Sequence, residues 1–378
     1  MKKIVFIALI AITIGLPGAF AQGCMEPSTS STGPQIIGYV QVENFTNFLG
    51  TDASGKDLTE NSFKFQKARL GVTGTIPYNF SYYLMTELSP TLGGPYILDA
   101  FFSWKAAGPY LKVSAGQFKS SFGLELSTPC QSLYTIDRSL VVNELASPFR
   151  DQGIMFSGST DSLQIFGIEK PNIFSYSLAW TNGTGLNTMD NNKSKDFIGR
   201  LVFAPCNFFQ LGGSYHHGME KNPDPTVTKA DELTRWGADL QLKKSFGNFG
   251  FLSQTEYILG KDKGSKMTGG GCGSIPEVVQ GSFTRNGFYS QLMLQTPWKI
   301  EPVVKFETYD PNLDLSDTDP TEYSKNTWTF GFSYYVNDWA RIQMNYMYNI
   351  EASSATDYAQ YNEISNDMLV IQLQFKLK

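Results

Sequence analysis

Apolar and polar positions alternate along almost the whole chain after Pro34. Near the C-terminus, Leu369, Ile371, Leu373, Phe375 and Leu377 interleave with Val370, Gln372, Gln374, Lys376 and Lys378. A period of two marks a half-buried strand, with one oily face and one wet face. The same pattern sets Val40 and Val42 against Gln41 and Glu43, and Ala68, Leu70 and Val72 against Lys67, Arg69 and Thr73. It recurs with Phe80, Tyr82 and Leu84 around Ser81 and Tyr83, and with Leu98, Ala100, Phe102 and Trp104 around Asp99 and Ser103. Trp236, Ala238, Leu240 and Leu242, and then Ile342, Met344, Tyr346 and Tyr348, follow suit. One such stretch is weak; a chain made of little else predicts an all-β protein.

Connection lengths predict the topology. Short turns fall at Pro77-Tyr78, Ala107-Gly108-Pro109, Lys170-Pro171-Asn172, Pro205-Cys206, Gly247-Asn248, Pro297-Trp298 and Asn337-Asp338. Between them lie long polar connections at 49–61, 89–95, 119–150, 182–195, 218–233, 261–282, 311–324 and 351–365. Transmembrane barrels alternate short turns on one rim with long loops on the other. Eight long loops, with both ends of the chain on the turn side, predict a transmembrane antiparallel β-barrel of sixteen strands. Residues 152–181 could hold two strands or three, which leaves eighteen strands as the alternative.

The N-terminus reads as an export signal. Lys2 and Lys3 precede an apolar stretch from Ile4 to Leu16, and Ala19-Phe20-Ala21 offers a small-x-small cleavage site. This predicts a signal peptide over 1–21, a polar linker over 22–34 and a barrel over 35–378. Acylation at Cys24 is the competing reading, supported by Gly23 but not by Gln22. No other stretch approaches the roughly 18 apolar residues of a membrane-spanning helix.

Composition agrees with a wall in lipid. Aromatic residues make up 14% of the chain against 17% charged, as suits a barrel with aromatic girdles and few charges on its outer face. Trp104, Trp298 and Trp339 fall at predicted turn-side strand ends, and Trp180, Trp236 and Trp328 near the loop side. Amphipathic rings belong at those two membrane interfaces. Thirty basic and 35 acidic residues exclude a polybasic nucleic-acid binder. Outer-membrane lipids are the expected surroundings.

The longest connection, 119–150, joins the fifth and sixth strands. It carries Phe122, Leu124, Leu126, Leu133, Ile136, Leu140, Val141, Val142 and Leu145. A long apolar loop at the mouth of a barrel is expected to fold into the lumen and narrow a pore that sixteen strands would leave open.

Here the chain resembles a known family, the phosphate-selective porins O and P. The resemblance rests on Asp99-Ala100-Phe101-Phe102-Ser103-Trp104 and on Ala115-Gly116-Gln117-Phe118-Lys119-Ser120-Ser121-Phe122-Gly123-Leu124-Glu125. Ile136-Asp137-Arg138, Arg150-Asp151-Gln152-Gly153 and the basic second strand Gln66 to Gly74 extend it. It implies a trimeric outer-membrane porin of a Gram-negative bacterium for passive diffusion of small solutes, with anions such as phosphate preferred and no cofactor. Carried over by position, the anion-binding candidates are Lys67, Arg69, Lys119, Ser120, Ser121, Arg138 and Arg150. Arginine offers a planar fork, lysine a point charge and serine a hydroxyl donor to phosphate oxygens. The chain departs from the family by carrying a single arginine where a basic pair is expected, with Ala68 between Lys67 and Arg69.

Charge counting alone does not predict selectivity. Inward-phase Glu43, Glu87, Asp99, Asp239, Glu256, Glu301 and Glu307 nearly balance Lys67, Arg69, Lys112, Arg200, Lys243, Lys305, Arg341 and Lys376. A general-diffusion porin with little ion preference is therefore the alternative. His216 and His217 are neighbours on a strand and face opposite sides, so they cannot chelate one metal. No Gly-x-Ser-x-Gly elbow supports a hydrolytic barrel, and the reading assigns no catalytic residues. A display barrel would use the Gly269-Gly270-Gly271-Cys272 loop. The cysteines Cys24, Cys130, Cys206 and Cys272 lack a metal-site spacing; the topology puts Cys24 with Cys206 and Cys130 with Cys272 on common sides.

Overall fold

The computed structural model describes residues 33–377 apart from 53, 166, 222–229, 269–276, 315–323 and 352–364. The proposed leader, Cys24 and Cys272 lie outside the described residues. The strands are β1 (Gln35–Phe48), β2 (Glu60–Ile76), β3 (Phe80–Glu87), β4 (Tyr96–Ala107), β5 (Leu111–Lys119) and β6 (Arg150–Ser159). They continue as β7 (Leu163–Ile165), β8 (Ile168–Lys170), β9 (Phe174–Thr181), β10 (Asp196–Cys206), β11 (Phe209–Glu220) and β12 (Asp231–Phe246). The last six are β13 (Phe249–Thr268), β14 (Glu277–Gln295), β15 (Ile300–Asp310), β16 (Lys325–Tyr335), β17 (Ala340–Glu351) and β18 (Asp367–Lys376).

Sixteen of these strands form one closed antiparallel barrel, each paired with its neighbours in sequence order. β18 returns to β1 with Val40 opposite Phe375 and Val42 opposite Leu373. The remaining two, β7 and β8, make a small hairpin outside the wall. It resolves the ambiguity over 152–181: two barrel strands flank an inserted hairpin, and the expected tight turn at Lys170-Pro171-Asn172 is only the end of that insertion. The Lys170 ammonium ties the hairpin to the β10–β11 turn by donating to the carbonyls of Ala204 at 2.8 Å and Cys206 at 3.2 Å.

Alternation sorts the wall as the pattern requires. Gln41, Glu43, Gln372 and Gln374 are buried inside, while Ile371, Leu373 and Phe375 are exposed outside. All six tryptophans are exposed. Trp298 and Trp339 sit in turns, Trp104 lies toward the turn end of its strand, and Trp180 and Trp328 stand near the long-loop rim.

One long connection is shorter than its polarity suggested. β13 and β14 stay hydrogen-bonded up to Thr268 opposite Glu277, so most of 261–282 is strand. A hairpin extended past the wall has water available on both faces, so no apolar alternation is needed there and none marks it in the sequence.

The apolar belt gives a test by depth. Leu201 is 66% exposed at the middle of β10, whereas Phe246 lies at the turn end of β12. Leu201→Arg is expected to weaken folding into lipid vesicles by about 2–4 kcal/mol, and Phe246→Arg by about 0–1 kcal/mol. Equal costs in a denaturant titration would contradict the assigned lipid belt.

Candidate functional site

Two irregularities in the wall shape the region around the third loop, residues 120–149. In β2 the register passes from Gln41 opposite Lys67 to Val42 opposite Phe65, leaving Gln66 as an extra residue. Without that bulge, Phe63, Phe65, Lys67 and Arg69 would share one face. With it, Phe63 and Phe65 point outward while Lys67 and Arg69 stay on the inner phase. In β4 a second shift skips Leu98 between Asp99 and Ile97. Leu98 was expected on the outer face by alternation; the bulge buries it beside Asp99, and Ile97 takes the exposed position.

Between these bulges lies a cavity of about 30 Å³, lined among others by Tyr39, Arg69, Asp99, Lys119, Cys130 and Arg150. Arg69 donates from Nε to Glu87 Oε2 at 2.8 Å and from Nη1 to the Tyr39 hydroxyl at 2.6 Å. Arg150 donates from Nε to Asp99 Oδ1 at 3.1 Å. Lys119 Nζ donates to the Thr128 carbonyl at 2.9 Å. Lys376 also reaches the lining.

The seven candidate residues do not act as one cluster. Arg69, Lys119 and Arg150 line the cavity. Lys67 is half-buried on the same strand as Arg69 and makes no hydrogen bond or ion pair among the described residues. Arg138 lies outside the lining and clasps the loop itself, donating to the carbonyls of Glu125 at 3.3 Å and Thr128 at 2.7 Å. The Ser120 amide closes the base of the loop on the Phe149 carbonyl at 2.9 Å. Ser121 is buried with its hydroxyl unpartnered.

Sequence reasoning overlooked Tyr39 and Cys130. Tyr39 was legible as the inward-phase neighbour of Gln41 and pairs in register with Arg69. Cys130 was read as an extracellular loop residue, yet its Sγ accepts from Arg138 Nη1 at 3.2 Å and Arg69 Nη1 at 3.5 Å. Only the loop's packing brings these groups together. Burial by itself would push the Cys130 thiol up, but Arg138, Arg69, Lys67 and Lys119 hold it well below its usual range. Cys130 and Cys206 are both free thiols.

The third loop contains α1 (Leu124–Ser127) and α2 (Leu140–Leu145). Its Phe122, Leu126, Val141, Val142, Leu145 and Ala146 form one apolar cluster with Tyr83, Met85, Phe101, Phe118, Ile258, Tyr289 and Tyr309 of the wall. Its backbone is held by polar side chains of distant strands: the Ile136 amide donates to Asn345 Oδ1 at 2.7 Å, and Arg341 donates to the Leu133 carbonyl at 2.9 Å.

The histidines face opposite sides. His216 is buried with Nε2 at 2.8 Å from Asp196 Oδ2, and His217 is half-buried near Glu232. An acidic partner for His216 was not evident in the sequence, because Asp196 lies across the sheet.

A closed sixteen-stranded wall, polar within and apolar without, is the architecture of a β-barrel channel protein, a porin. The sequence profile of the phosphate-selective porins O and P matches residues 42–241, more than half of the chain, and the protein belongs to that family. No curated protein matches it. Among solved structures, an anion-selective porin from Comamonas acidovorans aligns at 11% identity and a TM-score of 0.60, over 91% of this chain and 99% of that one. OmpT of Vibrio cholerae aligns at 13% identity and TM-score 0.57, covering 93% and 100%. OmpF of Salmonella typhi aligns at 12% and 0.58, with the same two coverages. At these identities the likeness speaks for the fold. Family and fold imply the outer membrane of a Gram-negative cell.

The Arg69–Glu87 pair is testable by a double-mutant cycle. Glu87 also accepts from the amides of Ala68 at 2.8 Å and Ser89 at 3.0 Å. Arg69→Ala leaves this buried carboxylate uncompensated and is expected to destabilise the barrel by about 3–5 kcal/mol. Glu87→Gln in the same background should recover part of that loss. Strict additivity of the two changes in urea unfolding would deny the pair.

Proposed function

We propose that the protein is an anion-preferring diffusion porin in which the third loop reaches into the lumen as the constriction. The observation that carries this reading is the cavity between loop and wall, where Arg69, Lys119, Arg150 and Lys376 face a single lining carboxylate, Asp99. Glu87 stands behind Arg69 and offsets part of its charge. The volume supports small solutes: a water occupies about 10–15 Å³ on this scale, so the space suits an inorganic ion. The loop's hydrogen bonds to β17 and its shared apolar cluster with β13, β14 and β15 support its position across the lumen.

In this reading Arg69 and Arg150 form a rigid pair of guanidinium faces, each oriented by a carboxylate. Lys67 is a further cation on the strand of Arg69, half-buried and outside the cavity lining. Charge-assisted hydrogen bonds from these groups replace part of an anion's hydration shell. Passage requires the sites to be several and individually weak. Arg138 contributes by keeping the 128–138 segment in place, with Ser120 and Ser121 at the loop base. The comparison with an anion-selective porin supports the preference, and the family's name supports phosphate as the solute. Export with removal of residues 1–21, a linker over 22–34 and assembly as a homotrimer complete the proposal.

Bilayer recordings under a salt gradient test it. The reversal potential is expected to have the sign of anion preference, and phosphate added to chloride should reduce chloride current. Lys67→Ala should lower the preference without altering thermal stability, since no bond is lost. A cation-selective potential, or one unchanged in Lys67→Ala and Lys119→Ala together, would return the protein to the general-diffusion class.

A further inference from the structure

The third loop has two short helices, and neither is capped by its own N-cap side chain. Carboxylates do that work from elsewhere. The amides of Leu124 and Glu125, at the start of α1, donate to the two oxygens of Glu256 on β13 at 3.1 and 3.0 Å. The Gly123 amide donates to Ser214 Oγ at 3.0 Å. At the start of α2, the Ser139 amide and hydroxyl donate to Glu125 at 2.7 and 3.2 Å, and the Leu140 amide donates to Glu307 Oε1 on β15 at 3.2 Å. One wall carboxylate therefore holds the first helix, that helix supplies the carboxylate for the second, and another wall carboxylate completes the second.

The surrounding charges make Glu256 the decisive member. Arg200 is committed to Asp239 at 2.5 and 3.0 Å, and Lys305 to Glu307 at 2.8 Å. Glu256 is buried and has no salt-bridge partner among the described residues; its remaining donor is the Tyr289 hydroxyl at 3.1 Å. A buried carboxylate without an ion pair must be satisfied by hydrogen-bond donors. Two of the three donors here belong to the loop. Gly123 adds a steric requirement: its φ is +71°, and a Cβ there would overlap Glu256 Oε1. The loop backbone is thus seated against this one carboxylate.

We propose that Glu256, with Glu125 and Glu307, is a positioning residue for permeation: it sets the pose of the third loop, and through it the width and anion preference of the pore, without touching the cavity. This rests on reading the third loop as the constriction.

The test compares Glu256→Ala, Glu256→Gln and Glu307→Gln in the intact protein, by amide hydrogen exchange and single-channel recording. In Glu256→Ala, the amides of Leu124 and Glu125 should exchange at least about tenfold faster, the factor set by one lost buried hydrogen bond. Amides of β13 and β14 should keep their native rates. Unit conductance should rise and phosphate block weaken. Glu256→Gln retains one acceptor oxygen and should fall between Glu256→Ala and the native protein. Glu307→Gln should speed exchange near Leu140 and leave Leu124 unchanged, so the idea stays testable even if Glu256→Ala does not fold. Native exchange at Leu124 and Glu125 in Glu256→Ala, or faster exchange with unaltered conductance and block, would overturn the proposal. Native protein that exchanges as expected but carries no current would instead remove the porin reading and leave the loop clasp standing.

Discussion

Every feature of this protein depends on the closure of one hydrogen-bonded sheet. Hydrocarbon offers no partner for a backbone N–H or C=O, so a strand edge left open in lipid would strand a row of polar groups. Pairing β1 with β18, from Tyr39 opposite Lys376 to Phe48 opposite Asp367, removes that edge. Closure then forces the side chains into two populations. The outer one meets acyl chains and carries the exposed tryptophans and phenylalanines. The inner one collects nearly all the charge in the wall.

That inner population creates its own problem, because buried ions need partners. The wall answers with cross-strand pairs such as Arg200–Asp239 and Arg69–Glu87. Where the wall has no cation to offer, the third loop supplies backbone amides, as at Glu256. The loop is thus held by polar groups that would be poorly satisfied without it, as well as by apolar packing. The same arrangement leaves basic side chains in excess at the cavity lined by Arg69, Lys119, Arg150 and Lys376.

Bulges connect the two populations. The extra residue at Gln66 restores outward phase to Phe63 and Phe65 while keeping Lys67 and Arg69 inside, and the one at Leu98 turns an apolar side chain into the cluster beneath the loop. Both flank the cavity. A regular ladder could not place an aromatic and a basic residue two positions apart on opposite faces.

The amino-acid pattern by itself determined the barrel, the order of most turns and loops and the inward phase of Arg69, Asp99, Glu256 and Lys305; it left sixteen or eighteen strands open over 152–181, which the inserted β7–β8 hairpin settled. Those properties are local: a period of two and a turn residue act over a few positions. The loop's length and apolar content were legible as well. What only the tertiary structure decided is which charges remain available once the chain has closed. Arg138 turned to the loop's own carbonyls, Cys130 came to rest between two guanidiniums, Asp196 met His216 across the sheet, and Leu98 changed faces. Each outcome depends on contacts between residues far apart in sequence, where a partner is chosen by burial and geometry and no spacing rule records the choice.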